Sequence, residues 1–146
     1  MNIPGLQAKR VGIALRPQLV ELVEMSGGKL TQTARMPVKG PEDEQMIEAI
    51  QGLVEGAVSK GRRVAVSIAS QDVLLRFFTL PLLPRSEWEA AIKFEARKHI
   101  PFRTDELVWD YHAVEDRARK QIAVVFSGIK KERFDRIQRW LREARI

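Results

Sequence analysis

The sequence predicts an α+β fold in two consecutive units, strand–strand–strand–helix–strand over residues 1–69 and strand–helix–strand–strand–helix over residues 70–146. Three observations predict it. Short β-rich runs near the start are joined by Ser26-Gly27-Gly28-Lys29, a tight-turn signal. Apolar residues recur at helical spacing in three separate segments, each next to a β-rich run. Prolines at 81, 84 and 101 punctuate the second half.

In the first unit, residues 10–15 and 18–25 read as strands with a bend at Arg16-Pro17, because proline cannot donate to a sheet ladder. Over 29–36, Leu30, Gln32, Ala34 and Met36 alternate with Thr31, Thr33 and Arg35, the pattern of a half-exposed strand. A helix follows, with Pro41 in its first turn and Glu42, Asp43 and Glu44 near the positive end of its dipole. Its stripe is Met46, Ile47, Ile50, Leu53, Val54, Ala57 and Val58, and Gly61 stops it. Residues 63–69 form a short, buried strand.

The second unit starts near Ser70 with a strand over 73–80, ended by Pro81 and Pro84. Ser86 with Glu89 reads as a capping box opening a helix that runs to Ile100 and stops at Pro101. Its apolar face is Trp88, Ala91, Ile92, Ala96 and Ile100. Strands over 107–115 and 121–127 flank the turn Asp-Arg-Ala-Arg-Lys. The last helix, about 130–144, packs through Phe134, Ile137, Leu141 and Ala144, leaving an arginine-rich face.

Composition limits the chemistry. Apolar residues make up 45% and charged residues 30% of the 146, a globular balance. No apolar run reaches membrane-span length and no signal peptide is present, so a cytosolic protein is expected. Cysteine is absent, which excludes disulfides, thiolate nucleophiles and cysteine metal sites. The net charge of +6 is uneven: residues 117–146 carry ten Lys/Arg against three Asp/Glu, whereas the first 116 are nearly neutral. Such a basic end suits anionic lipid, nucleic acid or an acidic protein face.

Catalytic constellations are weak. His99 and His112 lack zinc-ligand spacing. Ser67, His112 and Asp110 make a triad only on paper, without a nucleophile elbow. Asp105, Glu106 and Asp110 are better explained by turn capping and solvated surface than by paired acid–base chemistry. "GKLTQT" and "SGIKK" lack phosphate-loop spacing and read as a hairpin and a helix start. The basic patch of Lys130, Lys131, Arg133, Arg136, Arg139, Arg142 and Arg145, with Trp140 beside it, could contact phosphates and a base. No nucleic-acid-binding motif accompanies it, and a solvated helix face is the simpler reading.

Residues 80–114 carry a more specific signal: Leu80-Pro81 ending a strand, Glu95-Ala96 and Ile100-Pro101-Phe102 closing a helix, then Asp110-Tyr111 in a strand. In spacing and order this resembles the PilM family, and the opening over residues 10–30 resembles the first hairpin of an actin-like fold. The resemblance covers roughly 10–146, the amino-terminal half of a typical member. It implies a partial actin-like (ribonuclease H-like) subdomain over 1–69 and an inserted subdomain of the type shared with FtsA over 70–146. It also implies a cytoplasmic scaffold at the periphery of the inner membrane that grips the cytoplasmic tail of a PilN-like protein. Related machines include type II secretion systems and MSHA-type pili.

One departure from the family bears on activity. Its first phosphate loop reads approximately Gly-Ile-Asp-Ile-Gly-Ser, whereas this chain has Gly12-Ile13-Ala14-Leu15-Arg16-Pro17. Ala14 lacks the carboxylate, Arg16 stands for a glycine, and Pro17 removes an N–H donor. These 146 residues also contain no second phosphate loop or second lobe of that type. The expectation is therefore a non-enzymatic protein with no cofactor and no metal, not an ATP-binding one. The sheet of residues 10–69 is expected to be covered by a second copy, a swapped element or another subunit. For partner contact the expected residues are Phe77, Leu80, Ile100, Pro101 and Phe102.

Overall fold

The computed structural model describes residues 9–40, 42–55 and 64–146. Pro41, Ala57, Val58, Gly61 and the first residue of the strand expected at 63–69 lie outside them. Two compact units result: residues up to Ala69 together with Arg136–Ile146, and Ser70–Asp135. The expected division gave 136–146 to the second unit; their contacts group them with the first.

In the first unit, β1 (Arg10–Arg16), β2 (Leu19–Ser26) and β3 (Lys29–Pro37) form an antiparallel meander. Pro17 falls in the β1–β2 turn, and Gly27 and Gly28 take φ of 58° and 77° in the β2–β3 turn. Two successive positive φ values match the turn to the strand twist, which is why two glycines stand there. Helix α1 (Asp43–Val54) then returns the chain to β4 (Val64–Ile68), parallel to β1, giving the order β3-β2-β1-β4.

Strand alternation puts Val11, Ile13, Leu15, Val20 and Leu22 on one buried face. Met46, Ala49, Ile50 and Leu53 of α1 are the buried helical counterpart. The Glu42 amide donates to Gln45 Oε1 at 3.4 Å, covering one of the helix's free N-terminal donors.

The carboxyl-terminal part of α3 (Lys131–Glu143) belongs to this unit. Ile137, Trp140 and Ala144 are buried, and Gln51 Nε2 donates to the Glu143 carbonyl at 3.1 Å. Asp43 sits in an ion-pair cluster, accepting from Arg136 Nε at 2.5 Å and from Arg139 Nη2. Burial raises the Asp43 carboxyl, but hydrogen bonds from Arg136 and the Trp140 indole and the two arginine charges outweigh it, so its pKa lies below 3.8.

The second unit is a three-stranded antiparallel sheet in the order β5-β7-β6. Its strands are β5 (Leu74–Pro81), β6 (Leu107–Asp116) and β7 (Gln121–Lys130), and α2 (Trp88–Ala96) packs on one face. Leu80, Trp88, Ile92, Ala96, Ile100, Leu107, Ile122, Val124 and Phe126 make the core. The other face exposes Leu75, Phe77, Val108 and Val114.

Three expectations are corrected. A 3-10 turn over Arg85–Glu87 precedes α2, which is capped by Glu87 without a side-chain bond, so the Ser86/Glu89 capping box does not form. The Trp88 indole instead fixes the entry by donating to the Leu83 carbonyl at 3.0 Å. Helix α2 ends at Ala96, and a looser turn carries the chain to a buried Ile100. Strand β7 continues to Lys130, so that lysine closes a strand instead of opening the last helix.

Two stability outcomes follow. Phe126 is fully buried at the centre of the second core, so Phe126→Ala should cost about 3–5 kcal/mol in denaturant unfolding. Asp43→Asn should cost about 1–2 kcal/mol, a modest figure because Arg136 and Arg139 are 41% and 52% exposed and partly screened. The depressed carboxyl contributes fully above its ordinary 3.8 and loses that contribution as pH falls through the lower folded value. Wild type and Asp43→Asn should therefore converge in stability on acidification, read by melting temperature against pH.

Candidate functional site

A hollow of about 350 Å³ opens at one end of the second unit, lined by Gln71, Asp72, Val73, Leu74, Phe102, Leu107, Gly128, Lys130 and Arg133. The turn Ser70–Asp72 and the start of β5 form one wall, and the end of β7 forms the floor. Glycine at 128 is what lets the Leu107 and Phe126 side chains pack close against the floor. A Cβ there would stand 3.2 Å from Leu107 Cδ1 and 3.4 Å from a Phe126 ring carbon.

The rim is polar. Arg133 Nη2 donates to Asp72 Oδ2 at 2.9 Å, an ion pair with side chains 27% and 17% exposed. Lys130 Nζ stands 4.4 Å from the centre of the Phe102 ring, a cation–π contact that orients both side chains. An apolar floor with fixed charges at its edge can take an apolar peptide side chain and hydrogen-bond the backbone on either side of it.

The five residues expected to contact a partner are separated by the fold. Phe102 lines this hollow. Leu80 and Ile100 are core residues, 7% and 8% exposed. Pro101 is exposed at the turn, and Phe77, 73% exposed, lies on the opposite sheet face beside Thr79, His112, Val114, Ala123 and Val125. Sequence reasoning missed Gly128 and the Asp72–Arg133 pair. A glycine between the β-rich run 122–126 and Ile129 was the available signal for the first. For the second there was none, since the partners are 61 positions apart.

The basic patch is also corrected. Arg133 pairs with Asp72, Arg136 and Arg139 pair with Asp43, and Lys130 lies over Phe102. Trp140 is 3% exposed, so it packs in the first unit and offers no face to a base. Lys131, Arg142 and Arg145 are exposed.

On β1 and its neighbours, Gly12 and Ala14 face a shallow concavity of about 380 Å³ with Glu21, Val23, Ala65 and Ser67. Glu21 stands across from Ala14, and both its oxygens are taken, by Arg16 Nε at 2.9 Å and Arg35 Nε at 3.1 Å. Among the described residues no group of three or more His, Asp or Glu could hold a metal.

His99 stacks on Phe78 with centroids 5.2 Å apart and meets Glu95 at 3.3 Å. Lys98 first and His99 second hold the Glu95 carboxyl below its ordinary value. Ser67 lies in the first unit, Asp110 and His112 in the second. Asp105 is held low by Arg103, its neighbour in a local ion pair. No described helix is long and apolar enough to cross a membrane.

Comparison with solved structures finds this architecture in 23 chains, of which two are described. A chain of the PilM-PilN type IV pilus biogenesis complex superposes with a TM-score of 0.77 at 24% identity, over 94% of this chain and 45% of that one. The cytoplasmic domain of EpsL, an inner membrane component of the type II secretion system of Vibrio cholerae, gives 0.64 at 13% identity, over 94% and 53%. This chain thus spans about half the length of each. Comparison with curated protein sequences gives no match. The family described as type IV pilus assembly protein PilM matches residues 33–146, which takes in α1, β4 and the whole second unit. With that span matched, the chain belongs to the PilM family of type IV pilus assembly proteins.

Proposed function

We propose that this protein is a cytosolic, non-catalytic scaffold at the inner-membrane periphery, and that the hollow floored by Gly128 grips the cytoplasmic tail of a PilN-like membrane protein. The observation that carries the reading is the hollow itself: an apolar floor ringed by Lys130 and the Asp72–Arg133 pair, with Phe102 of the family-like Ile-Pro-Phe run at its wall. Likeness to a chain of a PilM–PilN complex supports the class of partner. The non-catalytic part is supported by Ala14 and Arg16, which put a methyl and a paired guanidinium where the family's loop has a carboxylate and a glycine.

A basic-surface reading is weaker, because Arg133 is paired with Asp72, and Arg136 and Arg139 share Asp43. A phosphate backbone would have to displace those carboxylates.

Calorimetry with the amino-terminal cytoplasmic peptide of a PilN-like protein from the same organism tests the proposal. Wild type should bind, Phe102→Ala should bind at least about tenfold more weakly, and Phe77→Ala should match wild type. Failure of the folded protein to bind, or equal affinity in the Phe102 and Phe77 variants, would overturn it. A separate titration with Mg-ATP should give no saturable heat; micromolar affinity would contradict the reading of Ala14 and Arg16.

A further inference from the structure

The outer edge of the second sheet, on strand β6, is independent of the hollow. Among the described residues β6 pairs only on its β7 side, runs for ten residues, and contains neither proline nor a register shift. The opposite edge, β5, ends in Pro81 with Pro84 close behind. Proline blunts an edge; β6 lacks that protection.

Hydrogen bonds show which β6 amides face outward. Ser127 Oγ, on β7, donates to the Asp110 carbonyl at 3.2 Å, so Asp110 turns its backbone inward. Tyr111 therefore turns outward, and its N–H donates to the Asp110 Oδ1 carboxylate at 2.8 Å, a local substitute for a strand partner. Backbone direction alternates, so Leu107, Trp109, Tyr111, Ala113 and Glu115 present the free ladder.

That edge is self-complementary about Tyr111. In Val108-Trp109-Asp110-Tyr111-His112-Ala113-Val114, a two-fold axis normal to the sheet through Tyr111 sets each Tyr111 against its counterpart. Trp109 then faces Ala113, large against small. On the other face Asp110 meets His112, and Val108 meets Val114, which are 36% and 54% exposed. Moving the axis to Asp110 sets two carboxylates against each other, and moving it to His112 sets two imidazoles together. Of these three registers, the one through Tyr111 sets Asp110 against His112 and keeps like charges apart.

The geometry points to a homodimer formed by antiparallel β6–β6 pairing centred on Tyr111, joining two three-stranded sheets into one. On pairing, the Tyr111 N–H exchanges the Asp110 carboxylate for the partner's Tyr111 carbonyl. The freed carboxylate then reaches the partner's His112.

Sedimentation equilibrium over a concentration series reads this directly. Wild type should dimerise, and His112→Asp should weaken the dimer at least about tenfold by opposing Asp110 with a second carboxylate. Asp110→Lys/His112→Asp, which sets an ammonium against a carboxylate at that contact, should recover it. A wild type that stays monomeric at its highest soluble concentration, a dimer indifferent to His112→Asp, or a double variant no better than the single would each overturn the proposal. Both positions are exposed, and circular dichroism of each variant separates lost pairing from lost fold.

Discussion

Each sheet of this protein has two faces, and helix packing buries one of them. That constraint orders everything else. In the first unit the buried face carries Val11, Ile13, Leu15, Val20 and Leu22, whereas the other carries Gly12, Ala14, Glu21, Val23, Ala65 and Ser67. In the second, Leu80, Ile122, Val124 and Phe126 lie beneath α2, and Leu75, Phe77 and Val114 face away. Period-two alternation allows no other outcome once one residue's side is set. Function must then be sought on the open faces, at the sheet edges and where an element ends.

Local rules carried the fold most of the way in the sequence. Gly27-Gly28 specifies a turn with positive φ, and the Met46–Leu53 stripe specifies a helix face, because both depend on neighbours in the chain. The start of α2 was misread because Ser86 and Glu89 have capping-box spacing. The Pro84 turn and the Trp88–Leu83 hydrogen bond impose a 3-10 entry there instead. The end of β7 was misread for a related reason. Gly128 looks like punctuation, yet in the structure it continues the strand and lets the Leu107 side chain pack close above it.

The candidate site was legible only in part. Ile100-Pro101-Phe102 stands out as a motif, but its three side chains do different work. Ile100 anchors the core, Pro101 turns the chain, and Phe102 reaches the hollow. Periodicity cannot separate them, since all three lie outside regular structure. The arginines of α3 teach the same lesson about charge. An amphipathic pattern shows that Arg133, Arg136 and Arg139 avoid the core; it contains nothing about Asp72 or Asp43, which the fold brings from 61 to 96 positions away.

Those pairings change where positive charge is free to act, although the net charge of +6 already counts their carboxylates. A guanidinium held by a carboxylate offers little field to a distant polyanion, and separating the two in a partly buried setting is costly. The same logic applies at the β1–β2 turn. Arg16 and Arg35 each donate to Glu21, so a phosphate approaching that turn would compete with a carboxylate already in contact with both. It would also find a methyl at Ala14 and no N–H on Pro17. The Arg16–Glu21–Arg35 cluster ties the three antiparallel strands of the first sheet together across their open face, so its charges are spent on holding the strands in register.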